Sequence, residues 1–462
     1  MRKIQGPQDA GQRRRIRLLG AGMALVCFAT LVGRLYILQI RDHDFYAGRA
    51  QDQQLRDTVV PAPRGDIVDR NGVVLATSVT CWTIRAVPRE MAEEDIGEAA
   101  RVLAEILELE ESQVLEKLNQ RSSNDCLLRR QVEKEMADQV QQAVLGHGWQ
   151  GIRILEDTKR VYPEGDFAGS ILGFTNVDGD GVAGLELEYN DLLKGQNGRV
   201  MTAKNAWGYD MPESYNTLVQ AQAGNTLQLT LDVNIQHYLE NALTFAAQQH
   251  HVSARAVGIV LDVKTGGVLA MATKPDYDPN QPRLIYDEEE RARINAIQDE
   301  EERAQALSLA QQAQWRNKAV SDLYEPGSVF KLITASAALD GGACGLEDTF
   351  VCGASYSVAG VHFHCANNKR HGVQNLALAL QNSCNQSFIQ IAARLGKDAF
   401  CQYFEALGLC GATGIDLPAE PKKSEYYTAD RMGPAGDFGE NAGREGGKRH
   451  GKTAGHHLAG EL

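Results

Sequence analysis

Ser328 and Lys331 stand three residues apart, a spacing that puts both side chains on one face of a helix. An amine so placed can reach the serine hydroxyl, and amide groups at a helix N-terminus favour negative charge developing beside the serine. The pair suits nucleophilic acyl transfer, provided the lysine can give up its proton near neutral pH, which burial or a neighbouring cation brings about. Further along, Ser383 and Asn385 form a Ser-x-Asn element. There Ser383 can relay a proton to a leaving group, while the Asn385 amide can hold a carbonyl and hydrogen-bond the lysine.

Taken singly these signals are weak. With 16 serines in the chain, about one Ser-x-x-Lys match is expected by chance. Ser-x-Asn occurs three times, at Ser122/Asn124, Ser214/Asn216 and Ser383/Asn385, and only the third follows the serine-lysine segment. A helix surface and polar turns remain the bland alternative.

The elements that must carry these residues are legible in outline. Pro326 and Gly327 break the preceding structure, and the following segment reads as a helix starting beside Ser328 and ending at Gly341-Gly342. VQNLALAL predicts a second helix and SFIQIAARLG a third, leaving Ser383–Asn385 at their connection. Upstream, Asn71-Gly72 between β-rich runs predicts a hairpin. Residues 90–150 carry Val102, Leu103, Ile106, Leu107, Val114 and Leu118 at helical spacing. Residues 151–225 read as strand and turn. Asp232 is the expected N-cap of an amphipathic helix, preceded by an alternating strand. AVGIVLDV and GVLAMA predict two strands joined at residues 264–267, and residues 287–315 a solvated helical insert.

At 462 residues the chain has room for two or three domains. Its net charge of −13 argues against a nucleic-acid partner. The strong basic cluster, Arg13, Arg14, Arg15 and Arg17, precedes an apolar run at residues 18–40, long enough for a bilayer span of about 20 residues. Arg34 lies near its outer end, where its head can snorkel. No small-x-small site follows, so the run reads as an uncleaved anchor with a cytoplasmic N-terminus. Nine cysteines are many for a chain whose bulk lies outside the membrane. Cys352 and Cys365 flank a short loop and could pair. That loop also holds His362 and His364, but the spacing fits no common zinc pattern, so thiols or a disulfide are expected there.

The surroundings of the serine resemble the class B penicillin-binding proteins. Arg64-Gly65-Asp66-Ile67, Asp69-Arg70-Asn71-Gly72 and Leu75-Ala76 are similar to the start of that family's non-catalytic pedestal. Tyr162-Pro163, Gly184-Leu185-Glu186 and LDVKTGGVLAMATKPDYDPN continue the likeness. Tyr324-Glu325-Pro326-Gly327-Ser328-x-Phe330-Lys331 and Ser383-Cys384-Asn385 then match its first two active-site motifs in order. The resemblance implies an α+β chain: a basic tail (1–17), a transmembrane anchor (18–40), a mixed pedestal or dimerisation domain (41–225) and a penicillin-binding transpeptidase domain with an antiparallel sheet flanked by helices (226–434). It implies a peptidoglycan D,D-transpeptidase with Ser328, Lys331, Ser383 and Asn385 catalytic, no cofactor and no metal. Implied partners are peptidoglycan stem peptides, β-lactams as inhibitors, the membrane and a membrane glycosyltransferase. A catalytically dead membrane scaffold, and a β-lactamase or β-lactam sensor, are the competing readings.

The family's third motif, Lys-Thr/Ser-Gly, has two lookalikes. Lys264-Thr265-Gly266 precedes the nucleophile, and Lys452-Thr453-Ala454-Gly455 has an inserted alanine and follows Asn385 by only 67 residues. Neither fits. Residues 435–462 hold 8 glycines in 28 residues and no Ile, Val, Met, Tyr or Trp, a composition that predicts disorder. The likeness breaks at Pro434, so the chain reads as a transpeptidase incomplete before its third motif, with a frameshift or assembly error as the explanation. The topology is open to test: a cysteine replacing Gln222 should resist a thiol reagent confined to the cytoplasm, and labelling from that side would reverse the orientation.

Overall fold

The computed structural model describes residues 10–42, 55–123, 125–203, 217–252, 255–324, 326–358, 360–409 and 411–421. The expectations for residues 1–9 and 435–462, and the Lys452 lookalike, lie outside the described residues. The N-terminal helix Ala10–Tyr36 contains one stretch, Leu18–Tyr36, long and apolar enough to cross a membrane.

The chain divides into two units, residues 1–66, 78–159 and 191–226, and residues 67–77, 160–190 and 227–462. In the first, helices Ile96–Leu107, Glu111–Asn119 and Lys134–His147 share one apolar core. Leu103, Leu107, Val114 and Leu118, picked out by helical spacing, are all buried in it. The expected all-helical stretch is interrupted, however, by a strand, Cys126–Val132, which pairs antiparallel with the later residues of the long strand Val74–Ala86. Cys126, Leu128 and Val132 alternate inward there, and so short a run of period two is lost among helical neighbours. A separate antiparallel sheet joins Leu55–Val60, Gly198–Ala203 and Thr217–Val219. Gly65 is obligatory for local packing, since a Cβ there would stand 1.9 Å from the Asn225 carbonyl oxygen.

In the second unit, Ile67–Val68 pairs antiparallel with the start of Val74–Ala86 across the Asn71-Gly72 turn, where Gly72 has φ +87°. It also runs parallel to Leu227–Gln228, all that forms of the alternating strand expected before Asp232. Asp232 caps the helix Val233–Gln249 by accepting from the amides of Asn234 and Ile235. This helix lies on the antiparallel hairpin Ala256–Leu261/Val268–Lys274. Gly258 permits the approach: a Cβ there would meet Leu239 Cδ1 at 2.6 Å. Gln236 exchanges two hydrogen bonds of 2.8 Å with the backbone of Met271, fixing the helix to the inner strand. On the opposite face of the hairpin Val257, Ile259 and Leu261 are exposed. Lys264-Thr265-Gly266 is the tight turn of the hairpin, with the Lys264 amide donating to Asp262 Oδ1 at 2.9 Å. The solvated insert is two helices, Glu288–Asn295 and Glu300–Trp315, capped by Asp287 and Asp299.

Residues 160–190 are less strand-like than expected, containing the short helices Gly169–Leu172 and Gly184–Glu188. Their hub is a buried ion pair, Arg160 Nε to Glu186 Oε1 at 2.6 Å, with the Tyr162 hydroxyl donating to the same oxygen at 3.3 Å. Gly184, at φ +58°, must be glycine because a Cβ would press on the Ile171 carbonyl oxygen at 2.4 Å. Beyond the hairpin, Asp276 is only half-buried as a residue, yet its Oδ2 is sealed from solvent without a hydrogen-bond partner. Burial, reinforced by the carboxylates of Glu240 and Asp166, raises its pKa to about 7, against the pull of Lys274 and the Tyr277 amide.

Asp276 therefore keeps its proton in the folded chain to about pH 7 but loses it near 3.8 when unfolded. Between these values the unfolded state binds fewer protons, so stability declines as pH rises, and this contribution is gone once pH passes 7. Asp276→Asn should flatten that decline and raise stability above pH 7 by on the order of a few kcal/mol. Thermal unfolding of both proteins from pH 4 to 8 tests this, and parallel curves would refute it.

Candidate active site

Gly327, at φ +65°, turns the chain into the short 3₁₀ segment Gly327–Phe330, which runs directly into the helix Lys331–Asp340. The helix ends at Gly341, as its sequence suggests. Its inner face is Thr334, Ala335, Ala337 and Ala338, small enough to lie against the helix Asn385–Leu395 with Phe388 and Ile391 filling the gap. Phe330 anchors the first turn against Phe400, their rings 6.0 Å apart. Ser328 thus stays exposed while Lys331, on the same face, is 1% exposed.

The second element arrives differently from the sequence expectation. The first three residues of the expected helix VQNLALAL, 373–375, instead belong to a strand, Gly372–Asn375, paired with Thr349–Cys352. Asn375 then caps a shorter helix, Leu376–Gln381, accepting from the Leu378 amide at 3.0 Å. A capping asparagine stops a helix from extending backwards, a signal that was present in the sequence. Ser383 takes φ +47°, a left-handed conformation unusual for a side-chain-bearing residue, and the next helix starts at Asn385. This bend delivers three groups to one atom.

Lys331 Nζ lies 3.0 Å from Ser328 Oγ, 3.1 Å from both the hydroxyl and carbonyl oxygens of Ser383, and 2.6 Å from Asn385 Oδ1. Ser383 Oγ is also 2.9 Å from Ser328 Oγ. Four sequence-predicted residues, up to 57 positions apart, therefore meet around one amine. An ammonium has three protons for these four oxygens. The Ser383 hydroxyl in turn donates to Ser328 Oγ, so the amine and the two hydroxyls close a triangle. The set can deprotonate an exposed hydroxyl and pass the proton to a second hydroxyl beside it. Asn385 Nδ2 donates to the His364 carbonyl at 3.1 Å, which fixes the amide's orientation.

Two expectations about the neighbourhood change. The possible Cys352–Cys365 disulfide is not formed, since the sulfurs are 3.6 Å apart and both cysteines are free. Nor does His362 or His364 face these thiols. His364 Nδ1 lies 2.9 Å from the Ala354 carbonyl, and it is His371, together with Cys384, that joins them. Sequence reading weighed only histidines inside the 352–365 loop and so passed over both.

Comparison with known proteins is consistent along the chain. Residues 59–229 match the penicillin-binding protein dimerisation domain, and residues 256–429 the penicillin-binding protein transpeptidase domain. Stage V sporulation protein D of Bacillus subtilis is 30% identical over 413 residues, 89% of this chain and 59% of that protein. The peptidoglycan D,D-transpeptidase FtsI of Escherichia coli is 28% identical over 419 residues, 89% of this chain and 65% of that protein. The chain thus spans about three-fifths of the length of the curated relatives it matches. Among solved structures, penicillin-binding protein 2X of Streptococcus thermophilus shares the fold with TM-score 0.58 at 22% identity, covering 79% of this chain and 54% of that one. Helicobacter pylori PBP2, in its complex with MreC, gives TM-score 0.60 at 19% identity, covering 82% and 72%.

The buried amine carries a stability prediction. Lys331→Met fills the same volume without a desolvated polar head, so unfolding free energy should change by less than about 1.5 kcal/mol or rise. Lys331→Ala leaves a cavity and should cost about 2–4 kcal/mol. Denaturant unfolding separates the two variants, and equal losses would mean that the hydrogen bonds themselves hold the site together.

Proposed function

Because the chain belongs to the class B penicillin-binding proteins, with their dimerisation domain ahead of their transpeptidase domain, we propose that it is a membrane-anchored D,D-transpeptidase acylated at Ser328. The observation that carries this reading is the exposed Ser328 hydroxyl, 3.0 Å from a buried lysine amine and 2.9 Å from a second serine. In this reading Ser328 Oγ attacks the carbonyl of the D-Ala-D-Ala bond of a stem peptide as Lys331 takes its proton. Ser383 passes a proton to the departing D-alanine amine, the peptide C–N bond breaks, and an ester to Ser328 remains. The amine of a neighbouring stem then attacks the ester, the cross-link forms, and the proton returns to Ser328. Asn385 orients the substrate carbonyl side and holds the lysine. A β-lactam enters the same step, and its opened ring stays attached, so no leaving group departs.

The basic cluster at residues 13–17 ahead of Leu18–Tyr36 supports an N-terminus in the cytoplasm and a catalytic part outside. The chemistry needs glycan strands bearing acceptor amines, so a membrane glycosyltransferase is the partner this reading implies.

The test is fluorescent penicillin. The full chain should form a covalent adduct stable to denaturing electrophoresis, more slowly than a relative that carries the Lys-Thr/Ser-Gly motif, and Ser328→Ala should abolish it. Lys331→Met should slow acylation by at least about 10²-fold, the usual scale of general-base loss, and Ser383→Ala by less. Absence of any adduct would favour a non-catalytic scaffold, and release within minutes a β-lactamase.

A further inference from the structure

Gln374 is a polar side chain only 2% exposed, and both ends of its carboxamide are in use. Its backbone is fixed in the strand Gly372–Asn375, opposite Phe350 of Thr349–Cys352. From there Gln374 Oε1 accepts from Asn382 Nδ2 at 3.0 Å, and Gln374 Nε2 donates to Ser387 Oγ at 2.9 Å. Asn382 immediately precedes Ser383, and Ser387 follows shortly after Asn385. One planar group therefore holds both shoulders of the bend that carries Ser383 and Asn385. The Ser387 hydroxyl donates in turn to Cys384 Sγ at 3.3 Å, inside the bend.

The backbone bonds of the bend run back to each side's own helix. The amides of Asn382, Ser383 and Cys384 donate to the carbonyls of Leu378, Leu380 and Ala379 respectively, and the Phe388 amide donates to that of Cys384. These bonds fix each helix end but leave the angle between Leu376–Gln381 and Asn385–Leu395 to side chains. Apolar contact among Leu376, Ala379, Phe388 and Ile391 sets the spacing, and being non-directional it sets no orientation. A carboxamide is directional, and one buried as Gln374 is cannot exchange its partners for water. Gln390 offers a contrast on the same helix. Its carboxamide joins the amide and carbonyl of Val351 at 3.4 and 2.8 Å, tying helix to sheet one turn beyond the bend.

We propose that Gln374 is a positioning residue for the reaction at Ser328: by clasping Asn382 and Ser387 it holds Ser383 in its left-handed conformation and sets where the bend meets Lys331. This rests on the reading of the chain as an enzyme acylated at Ser328. Lys331 Nζ contacts three oxygens of the bend, the hydroxyl and carbonyl of Ser383 and Oδ1 of Asn385, so a rotation at Ser383 displaces all three together. Gln374 acts through the bend and carries no proton in the reaction.

Gln374→Met keeps the length of the side chain and removes both hydrogen bonds. Hydrogen–deuterium exchange of the full chain in detergent should then quicken at least about fivefold in peptides covering residues 382–388, and stay unchanged in Lys331–Asp340 and in the 256–274 hairpin. With fluorescent penicillin, the first-order acylation rate at saturation should fall about tenfold, while the dissociation constant of the precovalent complex moves by less than about threefold. Asn382→Ala cuts the same clasp from its other end, so the double variant should be no slower than Gln374→Met alone. Gln390→Met should leave the acylation rate unchanged. Exchange that spares residues 382–388, or that rises equally in all three segments, would overturn the proposal. So would losses from Gln374→Met and Asn382→Ala that multiply, a loss confined to the dissociation constant, or an equal loss from Gln390→Met. Were the parent chain to form no adduct, the acylation reading would fall, and the exchange pattern would still decide whether Gln374 holds the bend.

Discussion

The site depends on one buried amine. Lys331 is sealed from water beneath an exposed serine, and everything around it serves that arrangement. An amine in an apolar setting must find partners for its protons, and here they are built in. Asn385 Oδ1, the Ser383 carbonyl and Ser328 Oγ accept from it. The acylation proposed at Ser328 gives this costly burial its use, since it holds the amine against an exposed hydroxyl. The Phe388 ring centre lies 6.0 Å from Nζ.

Holding that geometry requires a bend that an ordinary residue resists. Ser383 adopts a left-handed backbone conformation that costs of order 1–3 kcal/mol and persists only where surroundings over-determine it. Hydrogen bonds from Lys331 act on one side of the bend and the Cys384 thiol environment on the other. Strain beside a reactive group, maintained by contacts on both flanks, is a common way of keeping catalytic atoms in register.

Away from the site, buried polar groups recur with different outcomes. Arg160 and Glu186 neutralise each other where both side chains are buried, and the Tyr162 hydroxyl donates to the same carboxylate oxygen. Asp276 Oδ2 has no such partner, and below about pH 7 the carboxyl stays neutral by holding its proton. The glycines of the family-like motifs serve backbone approach. Gly65 and Gly184 stand where any Cβ would strike a carbonyl.

Local periodicity determined a good deal by itself. The cap at Asp232, the turn at Asn71-Gly72, the 264–267 hairpin and the helix after Ser328 each follow from residues within a few positions of one another. Ser328 and Lys331 belong to this class too, because one helical turn brings i and i+3 together whatever surrounds them. The strand Cys126–Val132 was hidden because seven residues of weak alternation acquire their identity from the partner strand. Choosing Ser383/Asn385 among three Ser-x-Asn elements rested on order along the chain, and the contact with Lys331 crosses 52–54 residues. The thiol cluster is the extreme case: its contacts span 13 to 19 residues, and no spacing rule singled out His371 and Cys384. Local spacing determines which groups share a turn, because backbone geometry does so alone. Which turns share a site was decided only when the strands around residue 352 and the helix at Asn385 packed against the lysine helix.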